Sequence, residues 1–270
     1  MNDAKAAARA AEILGRVRES RPLVHNITNW VVTNIAANIT LAFGASPVMA
    51  HAREEARDMV RHAGALVLNI GTLTPALVDA MLEAGRAANE LGVPVVLDPV
   101  GAGATPLRTE SALRILEEVK VDILRGNAGE VGILAGAGGK VQGVDAVGGP
   151  ADGAALARAA AKRFGLVAAV TGKTDYVSDG ARVMAVYNGH LLLTAVTGTG
   201  CMASSIVGAF RAVEGDALWA AASALGCYGL AAELAAARSQ GPGSFQVALF
   251  DESYGLTPEQ AAAGVRMEWS

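Results

Sequence analysis

Short apolar runs alternate with stretches of helical spacing through the middle of the chain. Residues 65–70, 93–97 and 121–124 are apolar runs, and 74–91 and 106–119, which separate them, place apolar residues at helical intervals. That alternation predicts buried parallel strands joined by helical crossovers. Thr74-Pro75 is a helix start, an N-cap with proline at the first helical position, and Gly92 is suited to end that helix. Further on, 154–164 predicts a helix and 166–171 a strand. Residues 183–187 and 190–196 read as two strands, with Asn188-Gly189 between them as a hairpin signal. The last third reads as helical from about Gly198. At the start, Lys5, Arg9, Glu12, Arg16, Arg18 and Glu19 alternate with alanine, which predicts an amphipathic helix and not a signal peptide.

Composition narrows this to a layered α/β protein. The chain has 270 residues, 52% of them hydrophobic and only 4% aromatic, enough for a large core of closely packed helices on a sheet. The glycine-rich stretch 136–153 is too short to divide domains, so residues 1–270 are expected to form a single domain. Residues 217–232 carry no charge, but they fall short of the roughly 20 residues a membrane span needs and run into Glu233, so a buried helix is expected. With 22 basic and 26 acidic residues, a net charge of −4 and no basic run, neither nucleic acid nor a membrane is an expected partner. Two cysteines, Cys201 and Cys227, make no disulfide framework, which suits a reducing cytoplasm.

In open parallel sheets, ligands collect beyond the carboxyl ends of the strands. Five segments there carry chemistry. Thr197-Gly198-Thr199-Gly200-Cys201 follows a predicted strand and opens an apolar helix, where small residues let N–H groups face an anion and the helix dipole adds positive potential. The same glycines would also serve tight packing. The dipole is expected to lower the Cys201 thiol pKa, so that Cys201 acts as a general base or orients a hydroxyl; its alternative is a small buried hydrophobe, the role expected of Cys227. Asp98-Pro99-Val100-Gly101-Ala102-Gly103 ends another strand and offers a carboxylate for Mg2+, or an Asx turn. Arg125-Gly126-Asn127-Ala128-Gly129-Glu130 offers a phosphate clamp in Arg125 and a second carboxylate in Glu130, or an ordinary capping box. Thr171-Gly172, with Lys173 nearby and a turn at Asp179-Gly180, offers a hydroxyl to a nucleotide phosphate. Val24-His25-Asn26-Ile27-Thr28-Asn29, with Asn34, Asn38 and Met49 beyond it, supplies amides and a thioether for an uncharged heterocycle. Asn29 as an N-cap and His25 as a satisfied core histidine are the plainer accounts.

Asn26-Ile27-Thr28-Asn29, Asp98 to Gly103, Arg125-Gly126-Asn127 and Gly198-Thr199-Gly200-Cys201, in this order, resemble the hydroxyethylthiazole kinase family of the ribokinase-like superfamily. The resemblance implies a three-layer α/β/α sandwich with a mostly parallel central sheet. It also implies transfer of the ATP γ-phosphoryl group, with Mg2+, to the primary alcohol of 4-methyl-5-(2-hydroxyethyl)thiazole in thiamine biosynthesis or salvage, by a cytoplasmic homotrimer with active sites between subunits. Carried over residue by residue, Arg125 and Thr171 contact ATP, Met49 and Gly198 contact the alcohol with Asn29 beside them, and Asp98 and Glu130 serve the metal. Gly198, Thr199, Gly200 and Cys201 form the catalytic anion hole. Cys201 stands where many superfamily members carry aspartate, as in the thiazole-kinase subgroup. A relative acting on another metabolite, or a sensor without turnover, would share most of these features. A dinucleotide oxidoreductase is disfavoured, because no glycine fingerprint follows the first strand.

Overall fold

The computed structural model describes residues 3–136 and 150–270, so most of the glycine-rich stretch lies outside the described residues. One nine-stranded sheet runs through it. The elements are α1 (Asp3–Ser20), β1 (Leu23–Ile27), α2 (Thr33–Ala42), β2 (Ser46–Val48), α3 (Arg53–Val60), β3 (Ala65–Asn69), α4 (Pro75–Leu91), β4 (Val95–Asp98), α5 (Pro106–Glu118), β5 (Ile123–Asn127) and α6 (Ala128–Leu134). They continue with α7 (Pro150–Phe164), β6 (Val167–Thr171), β7 (Asp175–Ser178), β8 (Val183–Val186), a 3-10 helix (Leu191–Ala195), α8 (Thr199–Arg211), α9 (Ala217–Ala237), α10 (Pro242–Gly255), α11 (Pro258–Gly264) and β9 (Met267–Trp269).

Sheet order is β2-β1-β3-β4-β5-β6-β7-β8-β9. Pairing is parallel from β2 to β6 and antiparallel from β6 to β9. Pleating sends Val67, Val96, Ile123 and Ala169 to one face, where α1, α2, α8 and α9 pack, and Leu66, Leu68, Leu97, Leu124 and Val170 to the other, against α3 to α7. This is the expected ribokinase-like α/β/α arrangement. The chain leaves β1 toward β2 on one side and returns to β3 on the other, so a topological switch point lies between the carboxyl ends of β1 and β3.

The helix signals hold in detail. Thr74 accepts the Leu77 N–H at 3.2 Å, Pro75 opens α4 and Gly92 closes it at φ 72°. The predicted strand 190–196 is not a strand. Asn188-Gly189 is no hairpin turn either, because Asn188 spends its side chain on Gly264 O at 3.0 Å and on the Arg266 N–H at 2.6 Å, while Glu233 receives the Gly189 N–H at 2.9 Å. Those bonds bring β9 to the free edge of β8, the place the predicted strand would have taken. Residues 191–195 then coil as the 3-10 helix, with Leu191 82% exposed. The hairpin lies one turn earlier, between β7 and β8 at Asp179-Gly180, where Gly180 has φ 92°. The helix α9 outruns the expected stretch and reaches 21 residues, long and apolar enough to cross a membrane. It is instead packed into the core, with Leu218, Ala221, Leu225 and Ala232 buried.

Candidate active site

The turn before α8 contains two glycines needed for different reasons. Gly198 has φ 83°, and a Cβ there would lie 2.5 Å from Ile35 Cδ1 and 2.6 Å from Val32 Cγ1, so it fits the turn against α2. Gly200 makes room for a cation, because its Cβ would lie 2.8 Å from Arg125 Nη1. The first backbone bond of α8 runs from Met202 N to Gly198 O at 2.8 Å, leaving the N–H groups of Thr199, Gly200 and Cys201 ahead of it at the positive end of the helix dipole. The Thr199 hydroxyl donates to Leu193 O at 2.7 Å and so ties the turn to the 3-10 helix that precedes it in place of the predicted strand.

Strand register supplies the rest of the anion site. Because β5 pairs with β6 in parallel, Arg125 Nη2 reaches the Thr171 hydroxyl at 2.7 Å, and that hydroxyl donates to Gly126 O at 3.3 Å. Arg125 Nη1 stands 3.8 Å from Asp98 Oδ2, and the guanidinium is only 11% exposed. Thr171, Arg125 and Gly200 are therefore brought together. Asp175 closes the loop after β6 by accepting the Gly172 N–H at 2.9 Å, and burial pushes its carboxyl up to about 6. Lys173 is exposed, a solvated loop lysine.

Asp98, the last residue of β4, is fully buried. Its Oδ2 accepts from Asn69 Nδ2 at 2.8 Å and from the Ser204 hydroxyl at 2.8 Å. Asn69 Oδ1 in turn accepts from Asn29 Nδ2 at 2.8 Å, and that amide also faces Cys201 Sγ at 3.5 Å. A polar chain thus crosses the switch point from Cys201 through Asn29 and Asn69 to Asp98. Asn29 is not the N-cap of α2, a position held by Val32. Burial pushes the Asp98 carboxyl up to about 6, with Arg125 pulling down and Glu130 pushing further up. The Cys201 thiol is pushed up to about 11, first by burial and then by the charge of Asp98, while the Asn69 and Asn29 donors pull the other way. The expected lowering by the helix dipole is thus overturned, and the thiol stays protonated at neutral pH.

Glu130 completes a capping box with Asn127: its Oε2 accepts the Asn127 N–H at 2.9 Å, and Asn127 Oδ1 accepts the Glu130 N–H at 2.9 Å. Its other oxygen accepts the Gly101 N–H at 2.8 Å, which joins the loops after β4 and β5. Two carboxylates with an unpartnered buried oxygen, Asp98 Oδ1, form a hard donor set that suits Mg2+. Among the described residues no three His, Cys, Asp or Glu gather around one point. A cation here would complete its shell with water and phosphate oxygens, as Mg2+ does in nucleotide sites.

Met49 follows β2 and is half-buried. His51 joins it to the turn after β1, with Nδ1 3.1 Å from Met49 O and Nε2 accepting the Thr28 N–H at 3.1 Å. Asn34 and Asn38 bond each other on an exposed face of α2 and are not brought to the site. His25 is a buried core histidine with Nε2 2.8 Å from Ala50 O, but its Nδ1 is buried without a partner, so the satisfied histidine of the plainer account is only half met. Cys227 is buried in α9 as expected. Two residues of the polar chain were missed in the sequence. Asn69 ends β3 and was hidden inside the apolar run 65–70, and Ser204 lies one turn beyond Cys201 on the same helix face.

The sheet and its covering layers match pyridoxal kinase from Bacillus subtilis with a TM-score of 0.60 over 79% of this chain and 92% of that one, a likeness at 16% identity that carries the fold alone. Fold and site together define a small-molecule kinase of the ribokinase-like class. The model of the hydroxyethylthiazole kinase family matches residues 14–259. Hydroxyethylthiazole kinase from Moorella thermoacetica is 62% identical over 181 residues, covering 67% of this chain and 68% of that one. The enzyme from Desulforudis audaxviator is 59% identical over 196 residues, covering 73% and 72%. The solved structure of the Pyrococcus horikoshii hydroxyethylthiazole kinase is 50% identical, with a TM-score of 0.90 over 97% of this chain and 98% of that one. The chain belongs to the hydroxyethylthiazole kinase family.

Proposed function

We propose that the chain, acting as a single cytoplasmic kinase domain, transfers the γ-phosphoryl group of ATP to the primary alcohol of 4-methyl-5-(2-hydroxyethyl)thiazole, giving the thiazole phosphate used for thiamine. The observation that carries this reading is the seating of Arg125 against Gly200, at the N-terminus of α8 and beside the buried Asp98. Arg125 and Thr171 bind the nucleotide phosphates, and the free N–H groups of Thr199, Gly200 and Cys201 receive the charge that spreads over the transferred group. Met49, Asn29 and Gly198 hold the thiazole alcohol. Mg2+, held through Asp98 and Glu130, would neutralise charge on the triphosphate.

The alcohol oxygen bonds to the γ-phosphorus as the bridging P–O bond breaks and ADP leaves. Cys201 is a poor base at neutral pH, so Sγ serves chiefly to orient the hydroxyl, whose proton passes to an oxygen of the transferred phosphoryl group as the new bond forms. A loose transition state asks for little deprotonation in advance. Coupled detection of ADP with a panel of small alcohols tests the assignment: turnover with the thiazole alcohol supports it, and turnover only with a sugar or pyrimidine alcohol overturns the substrate.

The same reading includes a homotrimer with sites between subunits. Support comes from the exposure of Trp30 at 65%, Val31 at 64% and Val247 at 63%. These residues neighbour an open cleft of about 310 Å³ lined by Val31, Ile35, Val196 and Pro242. Light scattering that finds a monomer under assay conditions would remove the trimer.

A further inference from the structure

Arg108 occupies the first turn of α5, where a positive charge opposes the helix dipole. Among the described residues it forms no ion pair, although arginines supply the cation of every other surface and buried pair found there. Its fork is spent on backbone carbonyls instead. Nη2 donates to Gly71 O at 2.6 Å, and Nη1 donates to Val100 O at 2.7 Å and to Ile70 O at 3.3 Å. A planar guanidinium spans acceptors on two loops with a fixed fork, a geometry that the compact ammonium of lysine does not reproduce.

The two loops belong to different halves of the site. Gly71 packs against Asn29 so closely that a Cβ would lie 2.5 Å from Asn29 Nδ2, and its N–H donates to Asn69 Oδ1 at 3.0 Å. Gly71 therefore supports the amides that face Cys201. Val100 precedes Gly101, whose N–H is held by Glu130 and on which a Cβ would lie 3.1 Å from both Cδ and Nη1 of Arg108. That loop supports the carboxylate half.

We propose that Arg108 is a positioning residue that holds the acceptor half of the site, Asn29 and Cys201, in register with the phosphate half, Asp98 and Glu130. The proposal rests on the kinase reading of this site. A group that sets the relative placement of two reactants acts on turnover more than on the binding of either one. Arg108→Lys keeps the charge and loses the fork, and Arg108→Ala loses both.

The experiment measures kcat and KM for each substrate by ADP release. Amide hydrogen exchange at Gly71 and Gly101 and thermal melting are followed alongside. Both variants are expected to lose about 10- to 100-fold in kcat, with each KM within about threefold of wild type. Exchange at Gly71 and Gly101 should quicken in both, and added guanidinium ion should restore part of the turnover of Arg108→Ala without accelerating wild type. Wild-type kcat in Arg108→Lys overturns the proposal, as does a loss that tracks the melting temperature alone and ignores guanidinium. Should wild-type protein release no ADP with any alcohol, the kinase reading fails, and unchanged exchange at Gly71 and Gly101 in Arg108→Lys would still sink the clamp by itself.

Discussion

From β1 to β5 the strands run in parallel, so their carboxyl ends lie on one side of the sheet and bring Asn29, Asn69, Asp98 and Arg125 within reach of one helix terminus. Beyond β6 the strands alternate in direction, and the polar groups serve closure. Arg182 bonds Asp179 at 2.7 Å and Asp216 at 2.9 Å and lies 5.8 Å over the ring of Trp269, which meets Trp219 edge-on at 5.5 Å. Glu233 is matched by Arg266 and Asn188. In the parallel half, the neighbouring Asp98 and Arg125 keep Oδ1 and Nε buried without partners, although Ser223 on α9 and Ser253 on α10 also bury unpaired hydroxyls. Natural interiors rarely leave such groups unpaired, and the proposed function would give Asp98 and Arg125 partners in the metal and the nucleotide phosphates. On the proposed function, one region gives up stability for catalysis and the other fastens the last strand.

Substitutions at four positions test that contrast. The largest effect is expected for Asp98→Asn, with kcat down about 100- to 1,000-fold, the scale of removing one group that stabilises developing charge. Its stability should move the other way. Burial holds the folded carboxyl near 6, above its ordinary 3.8, so the folded state holds the proton more tightly and loses stability as pH rises from about 4 to about 6. Asparagine removes that cost, and the ligand-free variant should gain about 1–2 kcal/mol at pH 7.5, after allowance for its own unpaired N–H, with the gain almost gone at pH 4. Denaturant melts at the two pH values would contradict this if the gain persisted in acid.

Arg125→Ala comes next, with kcat/KM for ATP expected to fall about 50- to 100-fold through lost phosphate contacts. Unchanged constants for ATP would contradict the assigned role. On the antiparallel side, Trp269→Ala should cost about 2 kcal/mol of stability, because the half-buried indole is removed and the buried Trp219 loses its edge-on partner, while kcat per folded molecule stays at the wild-type value. A drop in turnover without a shift in the melt would erase the distinction between the two regions. The smallest effect is expected at Cys201: alanine should slow turnover about tenfold, while aspartate equals or exceeds wild type, since a carboxylate beside Asp98 is a stronger base at neutral pH than a protonated thiol. An alanine variant at full speed would leave Cys201 a packing residue.

Local rules made much of this legible. The alternation of apolar runs and helical spacing depends on neighbours in sequence, and so do the Thr74-Pro75 start, the Gly92 stop and the Asn127–Glu130 capping box. The site residues were legible because parallel strands deliver their ends to one edge, which makes the residue after each strand informative. Asn188-Gly189 misled because a hairpin signal specifies a turn only when the next strand is free to pair. The competitor, β9, lies some 80 residues away, beyond any local rule.

The sequence by itself determined the layered α/β class, the parallel strands β3 to β6, the boundaries of α4 and the glycine turn that opens α8. Tertiary structure alone decided which glycine serves packing and which admits the guanidinium, because both have the same chemistry and differ only in what approaches them. It also decided the state of Cys201, since a helix terminus would lower a thiol in isolation but burial beside a carboxylate raises it. Short-range propensity sets elements, whereas charge states and close approaches depend on residues that meet only after folding.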